Sequence, residues 1–371
     1  MDIMAVLAMI GTIAIIYGGG QIPTANLVTG KLGEKLIQKG AKVYGVHKSF
    51  LGMLDQFCYE KFTLQKTREI QIQLGTYLSM CRNVDPSKEP WFTDIVKRLN
   101  EFVINTLFII GGDGSSRAAR ELLLKMQQVE RKIRIIFIPC TIDGIPNSES
   151  IGFDSAVAES FRHVCAMIVN AFATWNPNYD LPRIPIIEIQ GRNRNDIAVG
   201  VMKKIIDCGK IGKYCINEFN IIFIPSAYSW SYKELLKNLY VSDTKTAIIA
   251  AEGAVPIETD WNTIPVKGVG QKLENLIKAD AVRECNLDIV GYLSQTNDSI
   301  TETEIQKIED WVSFAVNFLF EHAETEDSFA IIKNKNEFSA MPIKEFADAT
   351  DSKNAIPLTE EEYKEFEKYL P

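Results

Sequence analysis

Short apolar runs alternate with longer amphipathic stretches along the chain. The amphipathic stretches, such as 26–40 and 155–170, repeat their apolar residues at a spacing near 3.6, which predicts helices. The apolar runs, which predict strands, fall at 12–16, 106–110, 133–139, 183–191, 220–225 and 245–253. Nearly continuous apolar strands separated by helices are typical of a parallel sheet that is covered on both faces. The pattern therefore predicts an α/β protein with mainly parallel sheets.

The first sixteen residues are mostly apolar and need separate consideration. They contain no basic residue, and Asp2 stands where a signal peptide carries positive charge. The stretch is also shorter than the ~20 residues that a membrane helix requires. We therefore expect a buried strand at 12–16 that runs into a glycine turn, rather than a signal or an anchor.

Charge and cysteine content narrow the classes of function. The formal net charge of -8 and the sequence pI of about 5.2 leave no broad positive field, which argues against nucleic acid as a partner. Local basic clusters can still hold a small phosphorylated ligand. The 7 cysteines are scattered and form no CxxC pair, so we expect no zinc site and a reducing, cytoplasmic compartment.

Three loops that could carry chemistry each follow a predicted strand, and the first is 17–26. Without side chains, Gly18, Gly19 and Gly20 allow backbone amides to approach a phosphate, and the following helix adds its positive N-terminal end. A tight strand-to-helix turn explains the same glycines equally well. This loop alone leaves both interpretations open.

The second loop, 109–116, contains the sequence GGDGS, which is far more specific than a single glycine pair. Asp113 is a carboxylate beside a phosphate cradle, as Mg²⁺ coordination requires. Ser115 either contacts phosphate oxygens or caps the helix.

The third loop comprises 139–144 and the segment 151–156. Asp143 follows the strand 133–139 and is expected at the same edge of the sheet as the first two loops. A carboxylate there can take the proton of a sugar hydroxyl as it attacks a phosphate. A turn or cap aspartate is an equally good interpretation of this loop alone.

Together the three loops resemble the phosphofructokinase family. The family's loops GGGxAPGxN, GGDGS and TIDND with GFDTA match GGG with Pro23 and Asn26, all of GGDGS, and TID with GFDSA here. Further matches follow in the family's order and cover nearly the whole chain: Arg82 in a segment similar to GGTxLGTSR, 46–54 similar to GYxGL, 183–192 similar to RxxVVEVMGR, and Glu252 in a segment similar to EGA.

The resemblance implies a fold and a domain organisation. We expect an α/β protein with two doubly wound, mainly parallel-sheet lobes and a cleft between them. The nucleotide-binding lobe is placed at 1–154, with part of the C-terminal segment, about 310–371, packing back on it, and the sugar-phosphate-binding lobe at 155–309. Relatives imply a homo-oligomer, either a dimer or a tetramer.

The resemblance also implies roles for individual residues. Donor-binding residues are expected to be Gly19, Gly20, Arg82, Gly112, Asp113, Gly114 and Ser115, with Asp113 holding Mg²⁺. Catalytic residues are expected to be Thr141, Asp143, Arg82 and Arg192. Residues that contact the sugar phosphate are expected to be Thr141, Asp143, Arg183, Gln190, Gly191, Arg192, Glu252, Tyr292 and Gln295.

The chain departs from the family where the sugar's distal phosphate binds. The family's histidine and arginine there match Tyr292 and Gln295, and a further arginine matches Asn286. Each lost charge-assisted contact is worth on the order of 1.5–3 kcal/mol. The second aspartate of TIDND is also missing, because Gly144 follows Asp143. Another sugar or sugar phosphate therefore stays open as the acceptor.

Two positions bear on the phosphoryl donor. Pyrophosphate-dependent relatives carry aspartate where Gly114 stands and lysine where Cys140 stands. The glycine leaves room for an α-phosphate, so ATP is the expected donor, with Mg²⁺ as cofactor.

The expected function is therefore that of a cytoplasmic, glycolytic ATP-dependent 6-phosphofructokinase, which converts fructose 6-phosphate into fructose 1,6-bisphosphate. No nucleic acid or membrane partner is expected. A pyrophosphate-dependent or other-sugar kinase of the family, and a catalytically weak regulatory subunit, stay open as alternatives. The lost arginines favour the weak subunit, whereas the retained Asp113 and Asp143 argue against it.

Overall fold

The computed structural model describes most of the chain as regular secondary structure. The described residues are 2–22, 24–73, 75–81, 84–145, 148–176, 181–191, 194–241, 244–257, 268–280, 283–291, 300–334, 337–350 and 357–371. The strands are β1 (Thr12–Tyr17), β2 (Val43–Val46), β3 (Tyr59–Lys61), β4 (Ile104–Gly111), β5 (Arg134–Pro139), β6 (Trp175–Asn176), β7 (Leu181–Pro182), β8 (Ile184–Ile189), β9 (Lys210–Ile211), β10 (Tyr214–Cys215), β11 (Asn220–Ile224), β12 (Thr246–Ala251), β13 (Cys285–Ile289), β14 (Phe329–Asn334) and β15 (Glu337–Pro342). The α-helices are α1 (Ile3–Ile10), α2 (Ala25–Gln38), α3 (Ser49–Gly52), α4 (Leu64–Gln71), α5 (Trp91–Glu101), α6 (Asp113–Gln128), α7 (Phe153–Phe172), α8 (Asp196–Cys208), α9 (Tyr232–Val241), α10 (Val269–Ala279), α11 (Glu302–Glu321), α12 (Ile343–Thr350) and α13 (Glu360–Phe366).

Contacts along the chain divide it into two compact units. The first unit comprises Met1–Ser155 and Gln295–Asp351, and the second comprises Ala156–Ser294 and Ser352–Pro371. This division differs from the expected one on the C-terminal side. Residues 302–309 belong to the first unit because α11 packs on α2, where Lys31 Nζ lies 2.7 Å from Glu309 Oε2.

The first unit is built on a seven-stranded sheet in the order β15-β14-β5-β4-β1-β2-β3. The strands from β14 to β2 run parallel, and the antiparallel strands β15 and β3 form the two edges. Every residue of β1 and β5 is buried, which means that both faces of the sheet are covered. This confirms the expected mainly parallel α/β sheet.

The second unit has a four-stranded, fully parallel sheet in the order β11-β12-β8-β13. All residues of β8 and β12 are buried, as their mainly apolar sequences predict. The strand β13 lies at an edge and is more exposed. The loops after β8 and β12 therefore leave the sheet side by side.

The N-terminal apolar stretch forms a helix before the expected strand. Helix α1 ends at Gly11, whose φ of 69° lets the chain turn into β1 while its N–H bonds to Leu7 O at 2.9 Å. Within the part of the chain that the structure describes, no helix combines the length and the hydropathy that a membrane crossing requires.

The C-terminal segment 357–371 is rich in glutamate, which suggests a solvated helix, but it also carries buried aromatic side chains. Phe366 and Tyr369 are buried, and the Phe366 ring meets the Phe223 ring edge-on, with centroids 5.3 Å apart. Glu360, Glu361 and Glu365 of α13 are exposed, which is why the segment looks like a surface helix in sequence. Residues 357–371 consequently belong to the second unit.

Candidate active site

Three loops leave the carboxyl edge of adjacent strands in the first unit. Strand β4 lies between β1 and β5, and the loops that follow are joined to it by backbone hydrogen bonds. Gly18 N donates to Ile110 O at 2.8 Å, and Cys140 N donates to Gly111 O at 2.9 Å. The loops that were expected to share this edge therefore start within one strand spacing of each other.

The first two loops approach so closely that side chains cannot fit between them. A Cβ on Gly18 would lie 2.4 Å from Ser115 Oγ, and one on Gly111 would lie 2.6 Å from Gly18 O. Gly19 adopts φ 103°, a left-handed conformation that favours glycine. The Tyr17 hydroxyl donates to Gly20 O at 2.7 Å and closes the turn from its buried side. The glycines are thus required by packing whether or not a phosphate binds.

The second loop begins helix α6 at Asp113, a half-buried carboxylate in the first turn. Ser115 is buried, and its Oγ lies against the backbone of Gly18 and Gly111 rather than capping the helix. Gly114 is exposed, and a Cβ on it would meet no atom within 4 Å. The protein therefore leaves open space beside the exposed first turn of the helix.

The third loop touches the second at one point. A Cβ on Gly112 would lie 3.1 Å from both Cβ and Oγ1 of Thr141. The Asp143 N–H donates to Thr141 Oγ1 at 3.3 Å, and Thr141 Oγ1 donates to Asp143 Oδ2 at 3.4 Å. The Thr141 side chain therefore lies between Gly112, in the loop before Asp113, and the half-buried carboxylate of Asp143.

Cys140 lies beneath this loop, and its thiol is buried and resists ionisation. It is 1% exposed, its Sγ lies 3.8 Å from Thr24 Oγ1, and burial raises the pKa of its thiol well above the ordinary value.

The residues around Asp113 suit Mg²⁺, which needs few protein ligands, better than a metal ion that is coordinated entirely by protein side chains. Among the described residues, no three histidine, cysteine or acidic side chains cluster closely enough to hold an ion. Mg²⁺ commonly binds through one or two carboxylates, with water and substrate phosphates completing its octahedral shell. A half-buried aspartate beside a glycine loop suits that arrangement.

The second unit brings three of the expected sugar-contacting residues together. Gln190 and Gly191 follow β8, Glu252 follows β12, and Gly191 N donates to Glu252 Oε2 at 3.3 Å. Gly191 has φ 136°, and a Cβ on it would lie 2.3 Å from Arg194 O. This turn therefore needs glycine and presents Glu252 at the carboxyl edge of the sheet.

Comparisons with known proteins identify the family of the chain independently of the site geometry. The profile of one family, Phosphofructokinase, matches residues 12–305, which is most of the chain. The chain belongs to the phosphofructokinase family.

Curated members of the phosphofructokinase family match over about half their own length. An ATP-dependent 6-phosphofructokinase of Streptococcus thermophilus is 27% identical over 189 residues, covering 50% of this chain and 52% of that protein. One from Clostridium botulinum is 31% identical over 191 residues, covering 50% and 55%.

Solved phosphofructokinases share the fold. A pyrophosphate-dependent phosphofructokinase from Marinobacter aquaeolei has a TM-score of 0.72 at 16% identity, covering 97% of this chain and 90% of that one. The T-state phosphofructokinase of Pichia pastoris has a TM-score of 0.71 at 17% identity, covering 91% and 35%. These likenesses confirm the fold that the sequence resemblance implied.

Arg183 lies at the opposite edge of the second unit's sheet from Glu252. It precedes β8, and its Nε donates to Glu284 Oε2 at 2.8 Å. Since β8 has six residues that rise about 3.3 Å each, the two edges are about 20 Å apart. Within this chain, Arg183 is therefore not brought together with Glu252.

Two other cations of the second unit are engaged by groups of the protein. Arg283 is buried, donates to the carbonyls of Thr244 and Pro182 at 3.1 Å each, and precedes β13. Lys203 Nζ lies 2.9 Å from Glu362 Oε1 in the C-terminal tail. Arg283, fixed by these carbonyls, does not replace the arginines that the chain lacks relative to its family.

Glu188 is an acidic residue that sequence reasoning missed. It is buried within β8 and accepts a hydrogen bond from Gly270 N at 2.7 Å. Burial raises the pKa of its carboxyl, and the nearby Glu252 adds to the effect. A charged residue inside an otherwise apolar strand was the available signal.

Four expected site residues lie outside the described residues: Arg82, Arg192, Tyr292 and Gln295.

Proposed function

We propose that the chain is an ATP-dependent 6-phosphofructokinase that transfers the γ-phosphoryl group of ATP to fructose 6-phosphate. The observation that carries the proposal is the contact of Gly112 with Thr141, which joins the glycine cradle to the loop of Asp143. A donor phosphate in the cradle and a hydroxyl beside Asp143 would then be neighbours, as direct phosphoryl transfer requires.

In this proposal Asp143 accepts the proton of the attacking sugar hydroxyl. The hydroxyl oxygen forms a bond to the γ-phosphorus, the bond to the β–γ bridging oxygen breaks, and ADP leaves. Thr141 holds Asp143 in place, and Arg82 and Arg192 offset the charge of the transferred group. Asp113 would hold Mg²⁺, which when bound neutralises charge on the donor's phosphates. Glu252, Gln190 and Gly191 would contact the sugar hydroxyls.

A second acceptor is favoured by one specific observation. Arg283 is fixed by the backbone carbonyls of Thr244 and Pro182, and Lys203 is paired with Glu362. The family's arginine is Gln295 in this chain. A sugar or sugar phosphate other than fructose 6-phosphate is therefore the alternative acceptor.

The proposal extends to assembly. Family members share the acceptor site between subunits, and the arginine that matches Arg183 reaches into a neighbour's site. Its position at the amino edge, remote from Glu252 of the same unit, supports a homo-oligomer in which each subunit completes another's acceptor site. We propose a cytoplasmic dimer or tetramer.

An ADP-release assay with Mg-ATP and a panel of sugars and sugar phosphates tests the function. We expect turnover with fructose 6-phosphate, because Asp143 and the cradle are retained. Turnover only with another acceptor would select the alternative. ATP binding without turnover on any acceptor would contradict both and indicate a regulatory subunit.

The donor is tested at Gly114. Gly114→Asp should fold normally because no atom lies within 4 Å of the added Cβ. Its carboxylate beside the donor's α-phosphate should lower kcat/KM for ATP by at least about tenfold through like-charge repulsion, and should affect pyrophosphate less. Steady-state kinetics with each donor provide the measurement, and Gly114→Asn is the uncharged control of the same size. Equal ATP use by all three proteins would place the α-phosphate elsewhere.

A further inference from the structure

Glu304 is a fully buried carboxylate whose contacts serve none of the roles described so far. It belongs to the first turn of α11 and has 0% exposure. Its Oε1 accepts a hydrogen bond from Gly152 N at 2.9 Å, and its Oε2 accepts one from Ser155 N at 3.2 Å. These amides lie at the start of α7, where backbone N–H groups lack partners within the helix. A side chain from α11 therefore fastens the beginning of α7.

Lys307, one turn further along α11, balances the buried charge. Its Nζ lies 2.5 Å from Asp154 Oδ2 and 3.3 Å from Glu149 Oε2. Burial raises the pKa of Glu304. Burial alone would lower the pKa of Lys307, but Asp154, Glu304 and Glu149 outweigh it and leave that pKa above its ordinary value. Both ends of the segment 149–155 are thus held by α11.

The fastened segment is bonded directly to the loop of Asp143. Thr141 N donates to Ile151 O at 2.9 Å, which ties the two stretches side by side. The Ser150 hydroxyl, itself buried, is placed to donate to Asp143 O at 2.9 Å and to Thr141 O at 3.2 Å. A shift of residues 150–152 therefore moves the backbone that carries Asp143.

We propose that Glu304 is a positioning residue for Asp143, acting through the backbone of 150–155. This inference rests on the proposed function, in which Asp143 is the base. Phosphoryl transfer needs reacting groups that are held within about 0.5 Å of their productive positions. Such precision depends on the residues that support them. The fixed point for Asp143 thus lies about 160 residues away in sequence.

Glu304→Gln tests this role with little change in volume. The carboxylate accepts two N–H groups, whereas an amide offers one accepting oxygen and turns an N–H donor toward the other. Lys307 keeps its two acidic partners in this variant. We expect kcat to fall about tenfold, with the KM values of both substrates changed less than twofold. Amide hydrogen exchange in 148–155 should become faster.

Glu302→Gln is the matched control. It makes the same substitution in the same helix turn, at a residue that is exposed. We expect wild-type kcat and wild-type hydrogen exchange. The difference between the two variants isolates the buried contacts from the loss of one negative charge at the start of α11.

Ser150→Ala answers the same question if Glu304→Gln fails to fold. It removes the Ser150 hydrogen bonds to the loop of Asp143 without touching a buried charge, while the bond from Thr141 N to Ile151 O stays in place. This variant should lower kcat about tenfold with unchanged KM values. Wild-type kcat in Ser150→Ala, or in folded Glu304→Gln, would overturn the positioning role alone, provided that Asp143→Asn loses about 10³-fold in kcat. A kcat of Asp143→Asn within tenfold of the wild type would overturn the proposed base, and this role with it, without reference to Glu304.

Discussion

Replacing Asp143 with asparagine is expected to lower kcat about 10³-fold, since general-base catalysis typically contributes 10²–10⁴-fold. An amide keeps the shape of the side chain and can still accept the Thr141 hydroxyl at one oxygen, but it cannot take a proton from the sugar. ATP affinity should stay within about twofold, because the cradle belongs to other loops. Stability should change little, since the side chain is half-buried and partly solvated.

Three measurements check this expectation: ADP release for kcat, titration calorimetry for ATP binding, and thermal unfolding for stability. Asp94→Asn is the control, because it makes the same change at an exposed residue of α5. If Asp143→Asn turned over within tenfold of the wild type, Asp143 would not be the base. If it lost ATP binding as well, the loop would have a structural role in the cradle.

Gly111→Ala is expected to weaken donor binding about 10²-fold, the loss that a displacement of about 1 Å in a site can produce. Its Cβ would lie 2.6 Å from the backbone oxygen of Gly18 and 2.8 Å from Ser115 Cβ, so the two glycine loops must move apart. We also expect the free energy of unfolding to fall by about 1–3 kcal/mol, as for other overpacked sites. Urea unfolding and calorimetry with ATP measure the two effects.

Gly114→Ala is the stability control for that experiment. The substitution is the same and lies three residues further on, where the added methyl meets no atom within 4 Å. Because alanine favours helix over glycine, stability should be unchanged or higher by up to about 1 kcal/mol. Equal destabilisation of both variants would mean that the glycine-to-alanine change, rather than the loop contact, is responsible.

Strands and glycine loops could be predicted from the sequence because their causes are local. The apolar runs at 12–16 and 106–110 became β1 and β4, since a strand buried on both faces has no polar alternation to conceal it. The close approach of the loops was implied by GGG and GGDGS, where side chains are absent. The family resemblance then added the roles of Asp113 and Asp143, which no periodicity contains.

Features that depend on contacts distant in sequence escaped prediction. Glu304 follows Thr301 by three residues, and the Thr301 side chain accepts from Glu304 N, so the pair has the pattern of a solvent-exposed capping box. In the fold its carboxylate turns instead to Gly152 and Ser155. Phe366 was likewise hidden among glutamates, because an apolar face only two residues wide gives a weak signal.

Because Phe366 packs against Phe223, the second unit is built from two separate stretches of the sequence. Residues 156–294 contain its whole parallel sheet but not the aromatic side chains that cover Phe223. A fragment cut at those limits would leave that surface open to water or to another chain. Either half of this protein, made separately, therefore has to be assembled from two stretches of sequence joined by a new linker.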